Sequence, residues 1–286
     1  MKFQVFTLCY ALMQILLTND DGIFAPGLAA IYKELVKLGD VTVVAPADSR
    51  SGTSHSVTFY GPLVCNKVDI NGQFTGYSVQ GSPADCVKLA CMQLCKSAKG
   101  PSRLGEPRPG ETSPTGGGKP IDLVVSGINS GANAGINIYY SGTVAAAMEG
   151  AFLKVPAVAT SLVVDEKMDY EKAAEYCVKI IKKLLPIKNG YVVNINIPQL
   201  SKGKPKGIKV VPQSTGGFHE HYIPQKNEQG QTVYQLEAGQ HRHEDDSTDS
   251  TALADGYITI TALAFGMTNH EETRQLARKK WKDIVA

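Results

Sequence analysis

The 286-residue chain has almost no excess charge of either sign. Its 29 lysines and arginines against 27 aspartates and glutamates leave a net charge of +2 and a pI near 8.1. A balance this mild gives no electrostatic reason to expect binding to nucleic acid or to an anionic membrane surface. With 43% hydrophobic residues the chain is instead expected to bury a substantial core.

The sequence also lacks paired cysteines and long apolar runs. Its six cysteines form no C-x-x-C pair and no Cys/His spacing typical of zinc, which favours free thiols in a reducing compartment. The apolar stretch within residues 1–17 is shorter than the roughly 18 residues of a membrane span and resembles a weak signal peptide. Cleavage after Ala11 would leave the next strand intact, so secretion stays an alternative. We predict a cytoplasmic protein with an N-terminal extension, with Met13 as an alternative start.

Several familiar catalytic and nucleotide-binding patterns are missing. The sequence has no Walker loop, no G-x-G-x-x-G dinucleotide turn and no G-x-S-x-G around a serine nucleophile. Two histidine pairs with i, i+2 spacing occur, "HEHY" and "HRHE", and surface hairpins explain them more readily than a metal site does. Dinucleotide-dependent and serine-hydrolase chemistry are therefore not predicted.

Strand-like and helix-like segments alternate through residues 13–206. The segment from Gly27 is amphipathic and predicts a helix that ends at a Gly39 cap. Another helix is predicted from Ser82, with Pro83 as its first residue. Such alternation predicts an α/β fold with a mainly parallel sheet and helices on both faces.

Three further regions complete the predicted organisation. Residues 97–119 are rich in Gly, Pro and Ser and predict a flexible insertion. Residues 207–264 contain strand-like pieces between polar turns, which predict antiparallel hairpins added to the core. Because unpaired strand edges need a cover, this region is also the predicted oligomerisation element. Residues 265–286 predict a C-terminal helix.

Polar side chains follow three of the predicted strands. Asn19, Asp20 and Asp21 follow the first, the hydroxyl-rich segment 49–55 follows the second, and Asn129, Ser130 and Asn133 follow a later one. Ligands of open parallel sheets bind at the carboxyl ends of strands. If these strands are neighbours, carboxylate, hydroxyl and amide oxygens converge, as Mg²⁺, Mn²⁺ or Ca²⁺ require. The alternative is that one aspartate caps a turn at Gly22.

The stretch "YYSGTVAAAMEG" predicts a helix of small residues preceded by Ser141, Gly142 and Thr143. Free N–H groups, two hydroxyls and a glycine that permits close approach suit a phosphate group. The alternative is an ordinary Ser or Thr N-cap with no ligand.

Five segments together resemble, in order and spacing, the SurE (survival protein E) family of metal-dependent 5′-nucleotidases and acid phosphatases. They are "ILLTNDDGIFAPG", "VVAPADSRSGTSHS", "GSPADCV", "DLVVSGINSGANAG" and "YYSGTVAAAMEG". The resemblance covers residues 13–160 closely and extends more weakly to "VVNINIP" and "DSTDSTALADGYITITAL". It implies a Rossmann-like core, phosphomonoester hydrolysis with one divalent metal ion per subunit, and homodimers or homotetramers formed by exchanged C-terminal elements. Mg²⁺ or Mn²⁺ is favoured as the metal, with Ca²⁺ as an alternative occupant.

The resemblance also implies roles for individual residues. The implied metal ligands are Asp20, Asp21, Ser51 and Asn129, and the implied phosphate-binding residues are Asn19, Gly127, Ser141, Gly142 and Thr143. The two aspartates are the expected catalytic residues, with Asp20 orienting or deprotonating the attacking water. The expected substrates are nucleoside 5′-monophosphates, with 3′-nucleotides and polyphosphate as further candidates. A non-catalytic nucleotide- or metal-binding module is the competing hypothesis; a haloacid-dehalogenase-type phosphatase is disfavoured because it needs Asp-x-Asp.

Overall fold

The computed structural model describes residues 13–95, 120–216, 218–241, 247–279 and 281. The predicted insertion 97–119 and the N-terminal extension 1–12 lie outside these ranges. The strands are β1 Met13–Thr18, β2 Gly39–Pro46, β3 Cys65–Ile70, β4 Phe74–Val79, β5 Leu123–Ser130, β6 Ala157–Leu162, β7 Val192–Ile197, β8 Ile208–Val210, β9 Phe218–Lys226, β10 Thr232–His241 and β11 Ile258–Leu263. The helices are α1 Pro26–Leu35, α2 Pro83–Leu89, α3 Gly142–Phe152, α4 Tyr170–Leu184, α5 Asp249–Ala254 and α6 His270–Ala277.

Nine of the strands form one sheet in the order β3-β4-β2-β1-β5-β6-β7-β11-β8. The run from β4 to β7 is parallel throughout, whereas β3 and β11 run antiparallel to β4 and β7. The predicted α/β fold with a mainly parallel sheet is therefore confirmed. The order also places the carboxyl ends of β2, β1 and β5 side by side, where the sequence has its polar clusters.

Helices cover both faces of the sheet, and this explains the apolar central strands. Side chains of α1 and α4, such as Ile31 and Ile181, join one core cluster. Side chains of α2 and α3, such as Val87 and Ala147, join the other. A strand buried on both faces has no solvent-facing positions, so its sequence is continuously apolar rather than alternating. Among the residues described, no helix is long and apolar enough to cross a membrane.

Local signals located the helix starts better than the helix ends. Ser82 accepts a hydrogen bond from the Asp85 N–H while the Asp85 carboxylate accepts from the Ser82 N–H, so the predicted start of α2 is confirmed as a capping box. The predicted glycine cap of α1 is wrong, because α1 ends at Leu35 and Gly39 is the first residue of β2. Leu38 turns back to bond the Leu35 carbonyl and is buried, so packing ends this helix early.

The C-terminal region contains one hairpin rather than several. Strands β9 and β10 pair with each other alone in a two-stranded sheet, which confirms a C-terminal antiparallel extension. Strands β8 and β11 instead extend the main sheet beyond β7. This extension could not be predicted because β11 buries Thr259 and Thr261, opposite Asn196 and Asn194 of β7, where an apolar side chain would be expected.

Candidate active site

Asp20 lies where three elements meet. It directly follows the turn after β1 and is only 3% exposed. Its backbone carbonyl accepts the Arg50 N–H at 2.7 Å, which fixes the segment after β2 against it. Its side chain accepts a hydrogen bond from the Thr143 hydroxyl in the first turn of α3. The carboxylate is therefore held between the β1 turn, the β2 loop and the N-terminus of a helix.

Asp21 faces the neighbouring strand β5 instead. Its Oδ2 accepts the Ser130 N–H at 3.0 Å and the Ser130 hydroxyl at 3.1 Å. The hydroxyl of Ser130 also contacts the Tyr170 Oη at 2.7 Å. Strand β1 ends at Thr18, opposite Ser126, whereas β5 continues to Ser130, so the residues that follow β1 lie alongside the last residues of β5. Asn129, the residue before Ser130, is thereby brought beside Asp21.

The other two expected metal ligands belong to the same surroundings. Ser51 follows Arg50, and its Oγ lies 3.2 Å from the Ser49 Oγ. The Asn129 side chain donates its Nδ2 to the Gly131 carbonyl at 2.8 Å. This commits the amide nitrogen and leaves its oxygen as the atom that could ligate a cation. Nowhere in the described chain, at this site or elsewhere, do three His, Cys, Asp or Glu side chains group together, so the donors offered here are two carboxylates with hydroxyl and amide oxygens.

The negative charges of Asp20 and Asp21 favour a bound cation. The pKa of Asp20 is raised from 3.8 to about 6. Burial is the largest cause; the hydrogen bond from Thr143 lowers the pKa in part, and the charge of Asp21 raises it. A buried carboxylate beside a second one is costly to ionise in the absence of a positive charge. Two carboxylates with hydroxyl and amide oxygens nearby make a hard-oxygen donor set, and this set fits Mg²⁺ or Mn²⁺.

The N-terminus of α3 packs directly on Asp20. Ser141 is the N-cap residue of α3, and its Oγ accepts the Val144 N–H at 3.0 Å. Gly142 follows, and a Cβ at this position would lie 2.8 Å from the Asp20 Cβ. Only glycine allows the helix end to approach so closely. The end of an 11-residue helix, with its positive partial charge, is thus held against the aspartate.

Asn19 and Gly127 support the site from within the sheet. Asn19 is fully buried and donates to the Gly22 carbonyl at 2.9 Å, while its Oδ1 has no hydrogen-bond partner among the described residues. Gly127 lies in β5 at a bulge, where the pairing with β6 shifts between Ser126 and Asn129. Bulges redirect side chains and are common next to active sites; this one lies just before Asn129 and Ser130, and Ser130 contacts Asp21.

A buried ion cluster beside the site was not foreseen. Glu149 of α3 is 3% exposed; its carboxylate oxygens lie 3.0 Å from the His55 Nε2 and 2.7 Å from the Lys88 Nζ. Burial raises the pKa of Glu149, but the hydrogen bonds from His55 and Lys88 outweigh it and hold the pKa below its usual value. The cluster ties the loop after Ser51 to α3. Its members are too far apart in sequence for any local pattern to join them.

Asp249 anchors the loop that connects Asn129 to Ser141. The carboxylate is completely buried and accepts the Gly135 N–H at 3.1–3.2 Å and the Ser214 N–H at 2.8 Å. Ser214 and Asp249 flank the β9–β10 hairpin, so the base of the hairpin and the loop after β5 share one anchor. The sequence predicts only a polar turn here.

A cavity of about 650 Å³ lies at the carboxyl ends of β6 and β7. Its walls include Ala134 and Asn137 of the loop after β5, Val163 after β6, and Gln199 after β7. The lining begins at Ala132, two residues after Ser130, whose N–H and hydroxyl contact Asp21. Its volume and mixed lining are typical of small-molecule sites.

Comparison with known proteins gives one consistent result. Residues 15–220 match the family model "Survival protein SurE". The 5′-nucleotidase SurE of Rhodopirellula baltica (strain DSM 10527 / NCIMB 13988 / SH1) is 38% identical over 272 residues, which are 94% of this chain and 98% of the relative. The 5′-nucleotidase SurE of Clostridium botulinum (strain Kyoto / Type A2) is 38% identical over 271 residues, covering 92% and 99%. The crystal structure of the SurE protein from Aquifex aeolicus superimposes with a TM-score of 0.74 at 36% identity, covering 92% of this chain and 98% of that one. This chain belongs to the SurE family.

Proposed function

We propose that the chain is a divalent-metal-dependent phosphomonoesterase that hydrolyses nucleoside 5′-monophosphates. The similarity to relatives named 5′-nucleotidase SurE supports this activity. The observation that carries the proposal is the contact between the N-terminus of α3 and the buried Asp20. A helix N-terminus attracts a phosphoryl group, and here it lies beside the two carboxylates best suited to hold a divalent cation.

One metal ion per subunit, Mg²⁺ or Mn²⁺ in preference to Ca²⁺, is proposed at Asp20, Asp21, Ser51 and Asn129. When bound, such an ion supplies a positive charge that polarises a phosphoryl oxygen and acidifies water. The carboxylates of Asp20 and Asp21 would hold it, and each is fixed by a different element, since one contacts α3 and the other contacts β5. This divergence also disfavours the haloacid-dehalogenase alternative, which needs two side chains on one face.

The phosphate group is proposed to bind at Asn19, Gly127, Ser141, Gly142 and Thr143. The positive partial charge at the N-terminus of α3 would stabilise negative charge that builds up on the phosphoryl group during the reaction. Asp20 is the proposed group that orients the attacking water or takes its proton, since its carboxylate lies between the other proposed metal ligand Asp21 and the N-terminus of α3.

The cavity beside β6 and β7 is the proposed place for the nucleoside part of the substrate. Its lining residue Ala132 follows Ser130, the partner of Asp21, by two residues, and we therefore assign a phosphate at α3 and a nucleoside in the cavity to one bound molecule. The cavity is large enough that 3′-nucleotides would also fit. Polyphosphate has no nucleoside to place in the cavity, so its hydrolysis relative to that of nucleotides tests how much the cavity contributes to activity. The protein is proposed to act in the cytoplasm.

A panel of phosphate esters tests the function. Purified protein is assayed for phosphate release from 5′- and 3′-nucleoside monophosphates, polyphosphate and para-nitrophenyl phosphate, with added Mg²⁺ or Mn²⁺. We expect 5′-nucleotides to have the highest kcat/KM, and activity to vanish on chelation and return with metal. Binding of nucleotides without phosphate release would establish the competing hypothesis of a non-catalytic module. Release unaffected by exhaustive chelation would refute the metal's role.

The proposed assembly is a homodimer or homotetramer that exchanges C-terminal elements. The β9–β10 hairpin exposes Tyr222, Tyr234 and Leu236, and exposed apolar side chains on a two-stranded arm are suited to a partner subunit. Light scattering at micromolar concentration is expected to give at least twice the 30.7 kDa chain mass. A species of one chain mass would contradict assembly. An oligomer that persists after the hairpin Phe218–His241 is deleted would show that the hairpin does not cause it.

A further inference from the structure

We propose that Tyr170 is a positioning residue for Asp21 and acts through the hydroxyl of Ser130. The inference rests on the proposed function, because it takes Asp21 as a metal ligand. Three hydrogen bonds carry it: Ser130 N–H to Asp21 Oδ2 at 3.0 Å, Ser130 Oγ to the same oxygen at 3.1 Å, and Ser130 Oγ to Tyr170 Oη at 2.7 Å.

The direction of this chain of hydrogen bonds follows from the chemistry of its members. An ionised carboxylate can only accept, so the single hydroxyl proton of Ser130 is donated to Asp21. The Ser130 oxygen is then the acceptor of its second bond, and the Tyr170 O–H is the donor. Hydrogen bonds arranged in one direction polarise and strengthen one another. Tyr170 therefore fixes the orientation of a serine that itself contacts the carboxylate twice.

Tyr170 is held firmly enough to serve this role. It is the first residue of α4, whose N-cap Asp169 accepts the Lys172 N–H at 2.9 Å. Its ring packs against the start of α1, where a Cβ on Gly27 would lie 3.3 Å from the Tyr170 Cδ1. The ring also contacts the core cluster formed by α1 and α4. The hydroxyl is thus presented by packed helices rather than by a free loop.

The effect on the site is orientation of one carboxylate. These hydrogen bonds contact only the Oδ2 atom of Asp21. The Oδ1 atom would therefore be available to a cation that Asp20 also binds. In the metal-free protein the two negative charges repel, and the Ser130 bonds oppose rotation of Asp21 away from its neighbour. Partners of this kind, one shell behind a metal ligand, change metal affinity by roughly 10- to 100-fold when removed.

Mn²⁺ binding measured by isothermal titration calorimetry, without substrate, tests the proposal. Tyr170→Phe is expected to weaken Mn²⁺ binding about tenfold, at the lower end of that range, because it keeps the ring and removes only the hydroxyl. Ser130→Ala is expected to weaken it at least as much. In the Ser130→Ala background the Tyr170 change should have no further effect, since its only route to Asp21 is gone. Ser130→Thr, which retains the hydroxyl, should restore most of the affinity.

Tyr176→Phe is the matched control, because it removes a hydroxyl from the same helix and should leave Mn²⁺ binding unchanged. Ser130 and Asp21 are at least partly exposed to solvent, so these bonds add little to stability, and the melting temperatures of all the variants should stay close to wild type. Unchanged Mn²⁺ affinity in Tyr170→Phe would overturn the proposal, as would additive losses in the double variant. If the wild-type protein binds no Mn²⁺, both the proposed metal site and this inference are overturned. If the wild type binds Mn²⁺ and Tyr170→Phe binds it equally well, only this inference is overturned.

Discussion

An Asp20→Asn enzyme is expected to be inactive and, when free of metal, more stable than the wild type. Loss of a metal ligand that also serves as the proposed base should lower kcat by roughly 10³-fold, within the range measured for such groups. The gain in stability arises because the wild-type protein buries a carboxylate that it must ionise beside Asp21, and asparagine carries no charge. Its amide oxygen can still accept the hydrogen bond from Thr143.

The pH dependence follows from the raised pKa of Asp20, about 6 in the folded protein against 3.8 ordinarily. Between these values the folded state holds a proton that the unfolded state has released. The free energy of unfolding of the metal-free wild type therefore falls as the pH rises from about 4 to about 6, and stays low above that. A difference of about two pKa units is worth about 3 kcal/mol. Little of this is screened by solvent, since Asp20 is 3% exposed.

Urea unfolding of both proteins in a chelator measures the effect. At pH 7.5 the Asp20→Asn variant should be more stable by up to about 3 kcal/mol, and at pH 4 the difference should disappear. Asp21→Asn is the matched control: its carboxylate is more exposed and accepts two hydrogen bonds, so it should gain much less stability although it also loses activity. An Asp20→Asn protein that remains active, or that is less stable at pH 7.5, would contradict the role assigned to Asp20.

Sequence reasoning succeeded where a feature depends on neighbours in the chain. The capping box at Ser82, the N-cap at Ser141 and the turn after β1 are each encoded within a few residues, and the structure contains all three. The convergence of Asp20 with α3 could be anticipated only through the parallel sheet, since alternating strands and helices bring carboxyl ends to one edge. The roles of these residues in binding metal and phosphate stay predictions.

Features set by distant contacts could not be predicted. Strands β3 and β4 are short and largely polar, and they are recognisable mainly because β4 pairs with β2. Asp249 gives no sequence signal, since the backbone groups it binds belong to Gly135 and Ser214. The contact between Ser130 and Tyr170 joins residues 40 positions apart. Each of these contacts joins residues that lie far apart in the sequence. No local sequence pattern therefore indicates it.

A second large effect is expected for Gly127→Ala in β5. Gly127 has φ +125°, and an added Cβ would lie well inside 3.0 Å of the carbonyl oxygen of Thr160 in β6. That oxygen belongs to the backbone of a central strand and cannot move without disturbing the pairing of β5 with β6. The substitution should therefore cost more than the roughly 1–3 kcal/mol of an unfavourable backbone conformation alone. It should also displace Asn129, two residues on, and so lower activity in any protein that still folds.

Gly131→Ala separates the effect of backbone strain from that of the steric clash. Gly131 has a similar φ of +137°, but an added Cβ there would have no neighbour closer than 3.7 Å. It lies on the other side of Asn129 and carries the same kind of backbone strain without the steric clash. Urea unfolding should show a loss of about 1–3 kcal/mol for Gly131→Ala and at least twice that for Gly127→Ala. Equal losses would mean that backbone strain alone requires glycine in β5. A larger loss at Gly127 would show that glycine is needed there for the close approach of β5 to Thr160 of β6.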